Sequence, residues 1–223
     1  MGLGIRSWLF NHRGVGKKIQ TREFHEIFPG QTFNLRLQVS SLAFGGISHE
    51  ESVFVSSMAL FLKARNAFEF GTCTGLTTYN LAQHVTDRVY TLDLPRQNVS
   101  PHLPTENAEQ EFMTIKREDL LWLGRAGSEK IISLYGDSAA LDYSPYLGKM
   151  DVVFVDASHS YEYVKNDSEK ALALLGLRGA VMWHDYTPPW PGVVRYLNEL
   201  SARFPLWHIR GTSLVVYLKQ GLE

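Results

Sequence analysis

Between residues 66 and 186, short apolar runs that end at an acid or a glycine alternate with helix-like stretches. The runs are "AFEF", "RVYTLDL", "KIISLYGDS", "DVVFVDASHS" and "GAVMWHDY". Between and after them come "GLTTYNLAQHV", "EFMTIKREDLLWL", "YEYVKNDSEKALALL" and "PGVVRYLNELSARF", the last with a proline near its start. Strand–helix alternation of this kind predicts a mostly parallel sheet with helices on both faces. The chain then changes pattern. "LWHIR" and "SLVVYLK", joined by a very short "GT" turn, read as a hairpin, so one reversed strand closes the sheet.

Upstream, "GGISHEESVFVSSMALFLKA" reads as a helix. Ser48 with Glu51 three residues on is a capping box, and Val55, Met58, Ala59 and Leu62 form one apolar stripe. The division expected is an N-terminal basic extension over 1–46 and one α/β domain over 47–223. Residues 1–22 hold Arg6, Arg13, Lys17, Lys18 and Arg22 without an acid, around Trp8, Leu9 and Phe10. Such an arm packs on its own domain or on a second subunit, which allows a homodimer; a peripheral membrane or acidic-partner contact is the alternative.

Composition sets the remaining bounds. A formal net charge of −1 gives no indication of a nucleic-acid partner. The single cysteine, Cys73, cannot form an intrachain disulfide. No apolar run reaches the length of a membrane span, so no stable membrane insertion is expected, and the N-terminus does not read as a secretory signal. A cytoplasmic protein is the expectation.

Ligands of open parallel sheets bind beyond the carboxyl ends of the strands. The loop "GTCTG" lies at such an end, where Gly71 and Gly75 allow close backbone approach. Asp93 ends the next strand, where an acid suits ribose hydroxyls. The spacing is not G-x-G-x-x-G, since Cys73 occupies a position where glycine is frequent. Glu69, two residues before Gly71, suits a cationic or amine-bearing ligand and opposes a pyrophosphate. Charge complementarity therefore favours S-adenosylmethionine over a nicotinamide dinucleotide.

"FEFGTCTG", "VYTLDL", "LYGDSA", "FVDASHSYEYVKND" and "GAVMWHDY", in that order, resemble the class I S-adenosylmethionine-dependent methyltransferases. The last two resemble the branch with HSY and HDY motifs, which includes sugar, antibiotic and catechol-type O-methyltransferases and is akin to cephalosporin-hydroxylase-type proteins. The resemblance covers residues 48–218. It implies a Rossmann-like three-layer α/β sandwich whose last strand is antiparallel. It also implies cofactor contacts from Glu69, Gly71, Thr72, Gly75, Asp93, Asp137 and Ser138. Glu69 and the loop would lie by the methionine moiety, Asp93 by the ribose, and Asp137 with Ser138 by the adenine. Asp137 and Ser138 alternatively cap the helix that follows, and Cys73 reads as a small packing residue and not a nucleophile. "DASH" departs from the "DGDH" common in the branch and removes an acid at Ser158.

Asp156 ends one strand, and His184 and Asp185 end the next. If those strands are neighbours, the side chains converge beside the transferred methyl. Two routes then activate the acceptor. A divalent ion on Asp156 and Asp185 would bind acceptor oxygens, or His159 or His184 would act as general base. The resemblance places magnesium on acids at these two positions; magnesium or manganese is the ion expected, and His184 as a direct ligand points away from magnesium. Asp167 is expected to be structural, bonding back to the HSY loop. "YTPPWPG" supplies Tyr186 and Trp190 as a wall for an acceptor ring. The function expected is O-methylation of a small sugar-, polyol- or phenol-like acceptor. The alternatives are an NAD(P)-dependent oxidoreductase and a non-catalytic S-adenosylmethionine-binding module.

Overall fold

The computed structural model describes residues 19–39, 46–94, 101–105 and 120–220. The basic residues up to Lys18, most of the proline-rich loop and most of the helix expected around 111–123 lie outside them. Among the described residues, eight strands form one sheet: β1 (Gln20–Arg22), β2 (Asn66–Phe70), β3 (Arg88–Asp93), β4 (Ile131–Tyr135), β5 (Met150–Val155), β6 (Leu175–Trp183), β7 (Leu206–Ile209) and β8 (Val215–Leu218). Their order is β1-β7-β8-β6-β5-β2-β3-β4. Every pairing is parallel except those of β8 with β6 and β7. The hairpin therefore inserts one reversed strand, and the sequence expectation of a mostly parallel sheet holds.

Period-two alternation divides the core between the two faces. On one face Ala67, Val152, Phe154, Ala180 and Met182 pack under helices α2 (His49–Phe61) and α3 (Leu76–His84). On the other, Phe68, Phe70, Val153, Val155, Val181 and Trp183 pack under α4 (Tyr161–Leu174) and α5 (Pro191–Leu200). This is the three-layer sandwich.

Local chemistry sets the helix starts. Ser48 caps α2, accepting from the Glu51 N–H while the Glu51 carboxylate accepts from the Ser48 N–H. Ser160 caps α4, and α5 opens on a proline. α4 runs into β6 without a separate loop, and the register between β5 and β6 shifts near Met150–Val152, where the glycine turn lies.

The stretch before residue 47 contributes directly to the fold. β1 pairs with β7, and the short helix α1 (Phe24–Ile27) brings Ile27 and Phe28 into the core. Farther along, the Gln38 N–H donates to Asn80 Oδ1 at 2.8 Å and Asn80 Nδ2 donates to the Gln38 carbonyl at 3.1 Å, which pairs a buried polar side chain of α3. No helix among the described residues is long and apolar enough to cross a membrane.

Candidate active site

The sheet register gathers the site. Phe70 is paired with both Leu92 and Val155, and Val155 with Trp183. The ladder continues one step: Gly71 N–H donates to the Leu92 carbonyl at 2.9 Å, Asp156 N–H to Phe70 at 2.9 Å, and His184 N–H to Val155 at 3.1 Å. Gly71, Asp93, Asp156 and His184 therefore share the carboxyl edge of the sheet. A cavity of about 360 Å³ opens there.

Gly71, Asp93, Asp137 and Ser138 line this cavity. Gly71 has φ +89°, and a Cβ on it would stand 2.0 Å from the Asp156 carbonyl oxygen, so the loop needs glycine to reach the strand beside it. Gly75, also left-handed, lies under the Trp122 ring and does not line the cavity. Cys73 lines it with φ +46°. Burial pushes its thiol up to about 11, which fits packing and not nucleophilic attack.

Glu69 and Thr72 lie behind the lining. Glu69 is buried, its Oε2 accepting from Thr78 Oγ1 and from Thr91 Oγ1, the latter at 2.6 Å. Burial pushes its carboxyl up to about 8 against those bonds, and the charges of Asp156 and Asp93 add to the rise. Thr72 Oγ1 lies 2.6 Å from Thr91 Oγ1. Asp137 Oδ2 accepts from Tyr163 Oη at 2.6 Å and from the His102 N–H at 2.7 Å, and it lies 2.9 Å from His102 Nδ1. Its Oδ1 accepts from the Ala139 N–H at 2.7 Å. Burial opposes its ionisation, but these bonds win and hold its pKa below the ordinary value. Asp137 thereby ties residues 101–105 over the cavity, where Thr105 joins the lining.

Asp156, His184 and Asp185 come together as the strand order predicts, and His159 joins them on the cavity wall. His159 Nε2 lies 2.8 Å from Asp185 Oδ2, and its ring stacks on Trp190 with centroids 3.8 Å apart. Gly192 of α5 makes room for this arrangement, because a Cβ there would meet the His159 carbonyl at 2.3 Å. Asp185 takes φ +60°, a left-handed conformation that aspartate tolerates better than most residues. Its N–H donates to Ser213 Oγ at 3.3 Å.

His184 is enclosed by acids. Nδ1 lies 3.1 Å from Asp156 Oδ1 and 3.2 Å from Asp185 Oδ2, and Nε2 lies 3.2 Å from Glu51 Oε2. Burial disfavours the imidazolium, but the Asp156 charge and the hydrogen bonds of all three carboxylates raise its pKa far above the ordinary histidine value. Burial likewise opposes ionisation of Asp185 and Glu51, and their histidine partners hold both carboxyls well below the usual range. Donor atoms of Asp156, His184 and Asp185 all lie within 4.8 Å of one another, close enough to share one cation.

Sequence reasoning missed Glu51 as a site residue. Its capping-box spacing was visible, but its contact with His184, 133 positions away, required the fold. Asp167 is fully buried; Asn166 Nδ2 donates to its Oδ1 at 2.8 Å, and Ser138 bonds it as well.

Residues 68–186 match a family of methyltransferase domains. The chain belongs to this family. No curated protein matches the methyltransferase by sequence. Solved structures share its fold: an O-methyltransferase from Bacillus cereus in complex with SAH at 18% identity and TM-score 0.57, covering 80% of this chain and 84% of that one. Another is TomG, an O-methyltransferase of tomaymycin synthesis from Streptomyces achromogenes in complex with SAM, at 20% identity and TM-score 0.54, covering 79% and 83%. A putative caffeoyl-CoA O-methyltransferase from Staphylococcus aureus aligns at 13% identity and TM-score 0.59, covering 78% and 85%.

Proposed function

We propose that the methyltransferase moves a methyl group from S-adenosylmethionine to a hydroxyl of a small sugar-, polyol- or phenol-like acceptor. The observation that carries this reading is the Asp185–His159 pair, 2.8 Å apart and stacked against Trp190, on the wall of the cavity formed by Gly71 and Asp93. The SAM and SAH complexes of the fold neighbours TomG and the Bacillus cereus enzyme support the choice of donor.

A sulfonium supplies an activated methyl, so the protein's work is alignment and proton removal. The acceptor oxygen forms the new O–C bond as the S–C bond breaks and sulfur keeps its electron pair. The hydroxyl proton passes to the Asp185 carboxylate, which lines the cavity and is held in orientation by His159 Nε2 at 2.8 Å. Trp190 gives an acceptor ring an apolar face. In this reading Asp93, at the end of β3 and on the cavity wall, takes the ribose hydroxyls. Asp156 and Asp185 would hold a divalent ion beside His184; such an ion polarises a hydroxyl and lowers its pKa.

Labelled methyl transfer from S-adenosylmethionine across a panel of sugars, polyols and phenols tests the reading. His159→Gln should lower kcat by about 10²–10⁴ while SAH affinity stays within about twofold. Tight SAH binding with no label on any hydroxyl acceptor would overturn the reading.

A further inference from the structure

We infer that Glu51 fixes His184 as a nitrogen donor, making Asp156, His184 and Asp185 a two-carboxylate, one-histidine centre that selects manganese over magnesium. The inference rests on the metal-assisted part of the proposed function and adds the selectivity of the site.

Three observations converge. The first is the state of Glu51. A carboxylate has about four acceptor sites and donates nothing when ionised. Those of Glu51 serve four donors: Oε2 takes the Ser48 N–H at 2.7 Å and His184 Nε2 at 3.2 Å, and Oε1 takes the Ser213 N–H and Oγ, each at 2.7 Å. Helix-capping carboxylates ordinarily face water, but this one is 5% exposed. It is pinned from the α2 start and the β7–β8 turn together.

The second is what that does to the imidazole. Glu51 only accepts, so Nε2 carries the hydrogen of that bond. Nδ1 is then the ring atom aimed between Asp156 and Asp185, at 3.1 and 3.2 Å; in the ion-free protein it donates its own proton to them, and a cation entering between the carboxylates displaces that proton and takes the lone pair. A histidine that ligates a metal through one nitrogen characteristically gives its other N–H to a carboxylate, and that partner sets ring orientation and donor strength. His184 also packs beside the Phe154 ring, with centroids 6.2 Å apart.

The third is the chemistry of the donor set. The ligand atoms lie within 4.8 Å of one another. Magnesium requires near-octahedral oxygen ligation, whereas imidazole suits first-row transition ions. One nitrogen among two carboxylates moves the site toward manganese and away from magnesium.

The test uses the full chain without acceptor. Manganese binding is followed by loss of the free-ion electron paramagnetic resonance signal, with magnesium as competitor. Manganese should bind at least about tenfold more tightly than magnesium. Glu51→Gln should weaken manganese by about 10–100-fold, the range for loss of such a partner. His184→Asn should bring the two ions to near parity. Should His184→Asn fail to fold, electron spin echo modulation of the wild-type manganese complex decides, since a bound imidazole gives a nitrogen signature. Equal affinities, a preference kept in His184→Asn, no binding or no nitrogen modulation would each overturn the inference. Methyl transfer with no ion bound would sink this inference and leave the proposed function standing. Manganese preference in a protein that methylates nothing would do the reverse.

Discussion

Two residues illustrate how one side chain can decide the site or the stability. Gly71 is the point where the loop touches the tip of β5. Any side chain there meets the Asp156 carbonyl and also forces an L-residue to φ +89°. Gly71→Ala should therefore weaken SAH binding more than about tenfold in a calorimetric titration; unchanged affinity would mean the loop does not contact the cofactor. Asp167 decides a pH dependence. Burial pushes its carboxyl up to about 7 against bonds from Ser138 and Asn166, and its Oδ2 has no hydrogen-bond partner. The folded state thus holds a proton that the unfolded chain, titrating near the ordinary aspartate value, releases earlier. Stability is fullest below that unfolded value, falls as pH rises toward about 7, and levels off above it. Asp167→Asn cannot ionise, so it should flatten this slope and add roughly 2–4 kcal/mol at pH 8 relative to pH 4. Urea denaturation of both proteins at the two pH values measures it, and parallel slopes would refute it.

At the scale of elements, β5, β6 and α4 were legible because their patterns are strong. β5 is apolar on both faces, as a central parallel strand must be, and α4 has a serine cap and a single apolar face. The acids at the strand tips were legible for the same reason: once the strands are placed side by side, Asp156, His184 and Asp185 must meet. Three features were not legible. β1 is three residues long, too short to show alternation, and its pairing with β7 spans most of the chain. The link between β7 and β8 read as two residues, yet the strands stop at Ile209 and resume at Val215. Glu69 read as a ligand-facing acid, but strand alternation and the two threonines turn it inward. The segment around α1 tests how far an N-terminal extension can be integral. Phe28 packs against the rings of Phe24, Phe33, Phe54 and Phe61 with centroids 4.9–5.3 Å apart. Phe28→Ala should cost about 3–5 kcal/mol, the toll of a cavity in a rigid core. A loss below about 1 kcal/mol in equilibrium unfolding would show that this segment is an accessory.

For the whole molecule, the strand tips place four carboxylates, Asp93, Asp137, Asp156 and Asp185, around one cavity. A pyrophosphate brought to that edge meets like charge, whereas a sulfonium and an ammonium meet opposite charge. That separates the methyl donor from a nicotinamide dinucleotide, although both carry ribose hydroxyls. The difference becomes measurable through linkage, because a ligand that binds only the folded state stabilises it by RT ln(1 + [L]/Kd). At a hundredfold excess over Kd this is about 2.7 kcal/mol. A chain of this size gains about 2–4 °C in Tm per kcal/mol. S-adenosylmethionine or SAH at that excess should therefore raise Tm by about 5–10 °C, while a nicotinamide dinucleotide at the same concentration should leave it unchanged. On the proposed ribose assignment Asp93→Ala should shrink the shift, read from each protein's own ligand-free Tm, since the variant also loses the acceptor of the Leu94 N–H at 2.8 Å. Equal shifts from both ligands would contradict the charge argument. A full shift in Asp93→Ala would remove that residue from the ribose.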